Sequence, residues 1–111
     1  MLNNHFQKVH NLQALHELLK QSTERPVVIF KHSTTCPISA GAYEEMSGLA
    51  GEVALVDVQS ARDISREIAA STGVEHESPQ VIILRHGKPV WHTSHWEITK
   101  ETVEKALHEN L

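Results

Sequence analysis

Cysteine is nearly absent from this chain: Cys36 is the only one among 111 residues. A single thiol cannot close an internal disulfide, so nothing staples the fold covalently. That usage fits a reducing compartment. Long apolar runs are missing too. No stretch approaches the ~20 residues that a membrane helix needs, and the N-terminus Met1-Leu2-Asn3-Asn4-His5 has no signal-peptide core. A cytoplasmic location with no membrane partner is therefore the expectation. Nor is there an excess of positive charge. Ten Lys and Arg stand against 14 Asp and Glu, a formal net charge of −4, which argues against a nucleic-acid partner. No repeat, low-complexity tract or linker divides the chain. Its length suits a single domain over residues 1–111, large enough for a core without disulfide or metal.

What is present is a regular alternation of patterns. Val9, Leu12, Leu15, Leu18 and Leu19 recur at helical spacing and predict a helix from about Val9 to Lys20. Pro26 opens a strand through Phe30, apolar on both faces and so expected at the centre of a sheet. Pro37 suits the first turn of a helix, where its missing N–H is not needed. Ile38, Ala42, Met46 and Leu49 then share one face. Val53–Val58 reads as a strand. Ser60 and Asp63 resemble a capping box ahead of a helix that Gly73 stops. Gln80–Leu84 and Val90–Thr93 form a hairpin about His86-Gly87-Lys88. Thr99 caps a last helix with Val103, Ala106, Leu107 and Leu111 on one side. The order is α-β-α-β-α-β-β-α, in which the strand–helix–strand units suggest parallel pairing and the hairpin adds an antiparallel pair.

Chemistry concentrates around Cys36, between a central strand and a proline-started helix. Ligands bind at that edge of open α/β sheets. An ordinary thiol, with a pKa of ~8.5, is only about 3% ionised at pH 7, and thiolate is the nucleophile. A helix N-terminus favours the anion through its partial positive charge and free N–H groups. Pro37 has no N–H, so the donors fall to Ile38 and Ser39, with the Ser39 and Thr35 hydroxyls as further candidates. Arg25, Lys31 and His32 lie in a stretch from Arg25 to Ser39 that contains no acid. His32 is a candidate donor to a thiolate or to a ligand carboxylate. The plain alternative is a small buried apolar cysteine.

Two more segments draw notice. Ser78-Pro79 precedes the third strand, where a cis proline would turn the Ser78 backbone towards Cys36; a trans proline opening a strand is the alternative. Ser94-His95-Trp96 joins the last strand to the last helix, where His95 and Trp96 could shape a groove, or Trp96 could plug the core. Nine histidines do not make a metal site: there is no H-E-x-x-H and no C-x-x-C, and His92 and His95 would face opposite ways on a strand. No metal is expected.

The element order resembles the thioredoxin fold with an extra N-terminal helix, an α/β fold with a central mixed four-stranded sheet flanked by helices. His32-Ser33-x-x-Cys36-Pro37-Ile38-Ser39-x-x-x-Tyr43, Glu77-Ser78-Pro79-Gln80 and Trp91-His92-x-Ser94-His95-Trp96-x-Ile98-Thr99 resemble the monothiol bacilliredoxin family, thioredoxin-like proteins of bacteria that use bacillithiol. The resemblance spans nearly the whole chain, and Thr-Cys-Pro-Ile-Ser is its most specific part. It implies a monothiol thiol–disulfide oxidoreductase in which Cys36 takes bacillithiol from S-bacillithiolated client proteins and an external thiol reductant regenerates it. Bacillithiol would be a co-substrate, with no tightly bound cofactor. The resemblance makes Cys36 catalytic, with Thr35, Pro37, Ile38, Ser39, His32, Ser78, Pro79, His95 and Trp96 stabilising the thiolate or binding the thiol. The Lys31/His32 region is a plausible seat for the carboxylates of bacillithiol's malate. Monothiol glutaredoxins are more distantly similar, and Pro37-Ile38 departs from their Cys-Gly-Phe-Ser. An iron–sulfur carrier shared between two subunits and a non-catalytic interaction domain are the competing readings.

Overall fold

The computed structural model describes residues 5–111; Met1–Asn4, on which the signal-peptide expectation falls, lie outside them. The elements run β1 (Phe6–Lys8), α1 (Leu12–Gln21), β2 (Val27–His32), α2 (Pro37–Ser47), β3 (Val53–Asp57), α3 (Arg62–Thr72), β4 (Gln80–Arg85) and β5 (Lys88–Ser94). A 3-10 turn (His95–Glu97) then leads into α4 (Lys100–Glu109). One five-stranded sheet has the order β1-β3-β2-β4-β5. Among the described residues no helix is long and apolar enough to cross a membrane.

The doubly apolar run Val27–Phe30 does take the centre. Alternation sends Val27 and Ile29 to one face and Val28 and Phe30 to the other. On the first face they pack with Leu15 of α1 and Ile64 and Ile68 of α3. On the second they meet Met46 of α2 and Val103 and Ala106 of α4. The sheet is thus covered on both sides, and the C-terminal end of β2 delivers the chain to the start of α2.

The structure departs from the sequence pattern at identifiable points. The sheet has five strands, not four: β1 pairs in parallel with β3, Phe6 opposite Val53. Three residues are too few to show a period; backbone hydrogen bonds at both ends, Val53 N–H to the His5 carbonyl and Val9 N–H to the Leu55 carbonyl, hold β1 in place, and Phe6 stacks on Tyr43 with centroids 4.7 Å apart. α1 begins only after Asn11, whose side chain accepts the Ala14 N–H; Val9 is buried in the core ahead of the helix. The strand after α3 is not a parallel partner, because β4 runs antiparallel to β2. Ser60 forms no capping box, since α3 starts from Ala61 without a side-chain cap. Leu111 lies beyond α4 and is 79% exposed.

Other local signals map directly onto the structure. Gly73 ends α3 in the left-handed region at φ 76°, which glycine adopts without a Cβ penalty. Thr99 and Thr102 cap α4 reciprocally. The β4–β5 hairpin is tied down by the fully buried Ser22, whose carbonyl accepts from the His86 N–H at 2.7 Å and whose Oγ accepts from the Gly87 N–H at 2.8 Å.

Lys31 is the exception to an apolar β2. Following Phe30 on a strand, it points to the opposite face, towards α3, and its side chain is fully buried. Nζ donates to Gln80 Oε1 at 2.9 Å, and Gln80 Nε2 donates to the Glu75 carbonyl at 3.0 Å. Burial lowers the Lys31 pKa to about 8, with Glu77 opposing the shift. An unfolded chain keeps this proton up to about 10.5. Between those values the unfolded state binds more protons, so stability rises with pH there. The rise should be on the order of 3 kcal/mol at most. Urea denaturation across that window should show the wild-type increase, and Lys31→Met should flatten it; identical slopes would show that Lys31 does not carry the effect.

Candidate active site

Cys36 is the residue from which α2 starts, with extended backbone at φ −105° and ψ 123° and Pro37 in the first turn. Its carbonyl already accepts the Ala40 N–H at 3.1 Å. An oxygen-bearing side chain at this position would cap the free N–H groups of the first turn; here the side chain ends in sulfur. The neutral thiol forms no full capping hydrogen bond, yet the N–H groups aimed at it favour its anion. The pKa is held below the ordinary thiol value chiefly by the Ser39 N–H. Partial desolvation acts against this, and the Ile38 N–H and Ser39 hydroxyl add to it.

Ser39 is fully buried, and its Oγ accepts the Ser33 N–H at 3.2 Å. With a lone pair so engaged, the hydroxyl hydrogen is free to turn to the Cys36 sulfur. Cys36 itself is free and only half-buried, so a disulfide in solution can reach it.

The turn before Cys36 is braced by a residue that the sequence pattern did not single out. Gln59, in the β3–α3 connection, accepts the Thr34 N–H at 2.9 Å and the Thr34 hydroxyl. Its Nε2 donates to Thr35 Oγ1 at 2.8 Å. Thr35 is therefore engaged with Gln59 and with Ser33 Oγ at 3.3 Å, and it is not among the groups acting on the thiol. No spacing relates Gln59 to Cys36 in sequence; only the crossover through α2 and β3 brings them together.

His32 is also elsewhere engaged. Its ring meets Tyr43 edge-on with centroids 5.0 Å apart and Phe30 at 5.6 Å. Desolvation pushes its pKa down, with Asp57 opposing. Lys31, buried on the α3 side of the sheet, is closed to a ligand. The Lys31/His32 pair thus divides across the two faces and forms no common carboxylate seat.

The opposite wall comes from the segments around Pro79 and the 3-10 turn. The Ser78–Pro79 peptide is cis. The His95 N–H donates to the Pro79 carbonyl at 3.0 Å, with His95 itself at φ 56°. Glu77, which carries no signal of its own in the sequence, clamps this loop: its Oε1 lies 3.2 Å from His95 Nδ1 and accepts from Ser94 Oγ at 2.9 Å. Ser78 Oγ is buried without a hydrogen-bond partner among the described residues. Trp96 is 77% exposed, so it is no core plug; the half-buried Trp91 packs against the core instead. Ile38 and Gly41 of α2 face His95 and Trp96 across a groove of about 230 Å³.

A lone, anion-stabilised thiol in this setting has a counterpart in known proteins. Residues 7–103 match the family described as "Monothiol bacilliredoxin BrxC". The chain belongs to that family. A solved structure described as a candidate oxidoreductase with a thioredoxin fold is 31% identical, covering 92% of this chain and 93% of its own, with a TM-score of 0.85. Thioredoxin from Fasciola hepatica is 15% identical over 95% of this chain and 99% of its own, at a TM-score of 0.75. Thioredoxin from Trypanosoma brucei brucei is 16% identical over 97% and 92%, at 0.77. These last two show the fold alone. Family and fold together make this bacilliredoxin a thioredoxin-like redox protein acting through a thiol.

Ser39→Ala should raise the Cys36 pKa, because it removes the hydroxyl donor and frees the Ser33 N–H. The rise is partial, since the Ser39 N–H, the main contributor, survives the substitution. Alkylation rates with iodoacetamide across pH should show the midpoint move up and the reactivity at pH 7 fall a few-fold. An unmoved midpoint would remove the hydroxyl from the set of thiolate donors.

Proposed function

We propose that this protein is a monothiol thiol–disulfide oxidoreductase that removes bacillithiol from S-bacillithiolated proteins. One observation carries the reading within the family: the group that turns to Cys36 from the next helical turn is the hydroxyl of Ser39, not a second sulfur. A mixed disulfide on Cys36 therefore has no internal escape, and the chemistry needs a second thiol from outside.

The cycle follows from that constraint. Cys36 thiolate attacks the bacillithiol sulfur of a client–S–S–bacillithiol disulfide. The new S–S bond joins Cys36 to bacillithiol, and the client sulfur leaves as thiolate and takes up a proton. The N–H groups of Ile38 and Ser39 lower the basicity of the attacking sulfur and stabilise it again when it later leaves. An external thiolate then attacks the bacillithiol sulfur of Cys36–S–S–bacillithiol. Cys36 is released as thiolate, bacillithiol becomes disulfide-linked to the external thiol, and the external thiols supply the two electrons. The groove between α2 and the His95-Trp96 turn supports the reading, since it opens along the helix that Cys36 starts and could take part of a client or a small thiol.

The test is incubation with a bacillithiolated client, read by intact mass. The expected result is one bacillithiol adduct on Cys36 with release of the client thiol, and no transfer to Cys36→Ser. Absence of transfer from the client to the wild type would reject the function. Ser39→Cys should restore a C-x-x-C pair, so the adduct should no longer accumulate and an internal disulfide, lighter by two hydrogens, should replace it. Persistent adduct in that variant would show that position 39 does not govern resolution.

A further inference from the structure

A second cleft opens on the α3 side of the Cys36 turn, with a volume of about 440 Å³. Gln59, Arg62, Ser65, Arg66 and His76 line it, and no Asp or Glu does. Arg62 and Arg66 are four residues apart on α3, so both guanidinium groups project from one helix face. Both are exposed, and neither forms an ion pair with a described carboxylate. His76 stands opposite: its Nδ1 lies 3.1 Å from Ser65 Oγ, which leaves Nε2 open. Desolvation and then the buried Lys31 ammonium on the sheet side push the His76 pKa down, with Glu77, outside the cleft lining, opposing them. Two unpaired guanidiniums and an imidazole round an acid-free cleft make an anion site, and paired arginines favour the planar, two-oxygen geometry of carboxylates.

The cleft is coupled to the reactive sulfur by its own wall. Gln59 lines the cleft and donates to Thr35 Oγ1 at 2.8 Å, one residue before Cys36. His76, on the other wall, is two residues before Ser78 and the cis peptide to Pro79. A small thiol joined to Cys36 and lying along Gln59 would carry an acidic tail into the cleft.

We infer that Arg62, Arg66 and His76 form the seat for the malate carboxylates of bacillithiol, and that this seat, not the Lys31/His32 pair, distinguishes bacillithiol from uncharged thiols. The inference rests on the proposed removal of bacillithiol and adds where its acidic end is held. Carboxylates on a client protein could use the same cleft, so the test employs a small neutral partner.

The experiment compares kcat/KM for two disulfides: bacillithiol joined to 2-mercaptoethanol, and bis(2-hydroxyethyl) disulfide, which has no carboxylate. The readout is the ratio of the two values. Loss of two charge-assisted contacts should lower that ratio about tenfold in Arg62→Gln/Arg66→Gln, and Arg62→Lys/Arg66→Lys should restore part of it. A variant damaged in folding or thiol reactivity lowers both values and leaves the ratio unchanged, which would overturn the seat. A wild type with no preference for the bacillithiol disulfide would reject the proposed function, and the seat with it. A wild type that prefers bacillithiol, with a Gln pair that keeps the full preference, would reject the seat alone. If acidic client peptides show the tenfold loss while the small bacillithiol disulfide does not, the cleft serves clients and the malate assignment is wrong.

Discussion

The site depends on a helix whose first turn is left without an oxygen cap. The N–H groups at the start of α2 need an acceptor, and Cys36 offers them a sulfur in place of a carboxylate or hydroxyl. Pro37 removes one donor from the set and fixes the entry of the chain into the helix, so the remaining N–H groups of Ile38 and Ser39 converge on one atom. The unmet need of the helix and the reactivity of the thiol are thus the same interaction, since the N–H groups that the first turn leaves free are the ones that stabilise the anion.

The rest of the architecture holds that contact in place. β2 is buried on both faces and carries its C-terminal end to a fixed point. Gln59 braces the Thr34-Thr35 turn from the β3 side, and Glu77 locks the Ser94-His95 loop to the Pro79 segment on the other. Each brace is a polar side chain spanning elements far apart in sequence. The core beneath is divided by the sheet into two apolar clusters, and among the described residues Lys31 is the one buried charge, held by Gln80.

Much of this was legible in the residues. The central strand followed from an apolar run without alternation, the helix at Pro37 from the proline itself, and the α4 cap from Thr99. The features that the residues did not show have physical causes. Ser60 has the residue type of a cap but not the backbone placement. β1 is too short to show a period and is held by its pairing with β3 and by the Phe6–Tyr43 stack. Lys31 was paired with His32 as a carboxylate seat because of its charge, although its place next to Phe30 on a strand already put it on the opposite face. The braces Gln59 and Glu77 carried no local signal, because their partners are 17 to 25 residues away.

The sequence by itself determined what the sulfur chemistry can be. One thiol, a proline behind it and a serine at the resolving position exclude an internal disulfide, and these are properties of bonds and near neighbours. Tertiary structure decided where the sulfur's surroundings lie. It closed Lys31 off behind the sheet, turned His32 to Tyr43 and drew Arg62, Arg66 and His76 around one cleft. Strand pairing and helix crossing set those positions, and they depend on register across the whole chain, which no local window of residues contains.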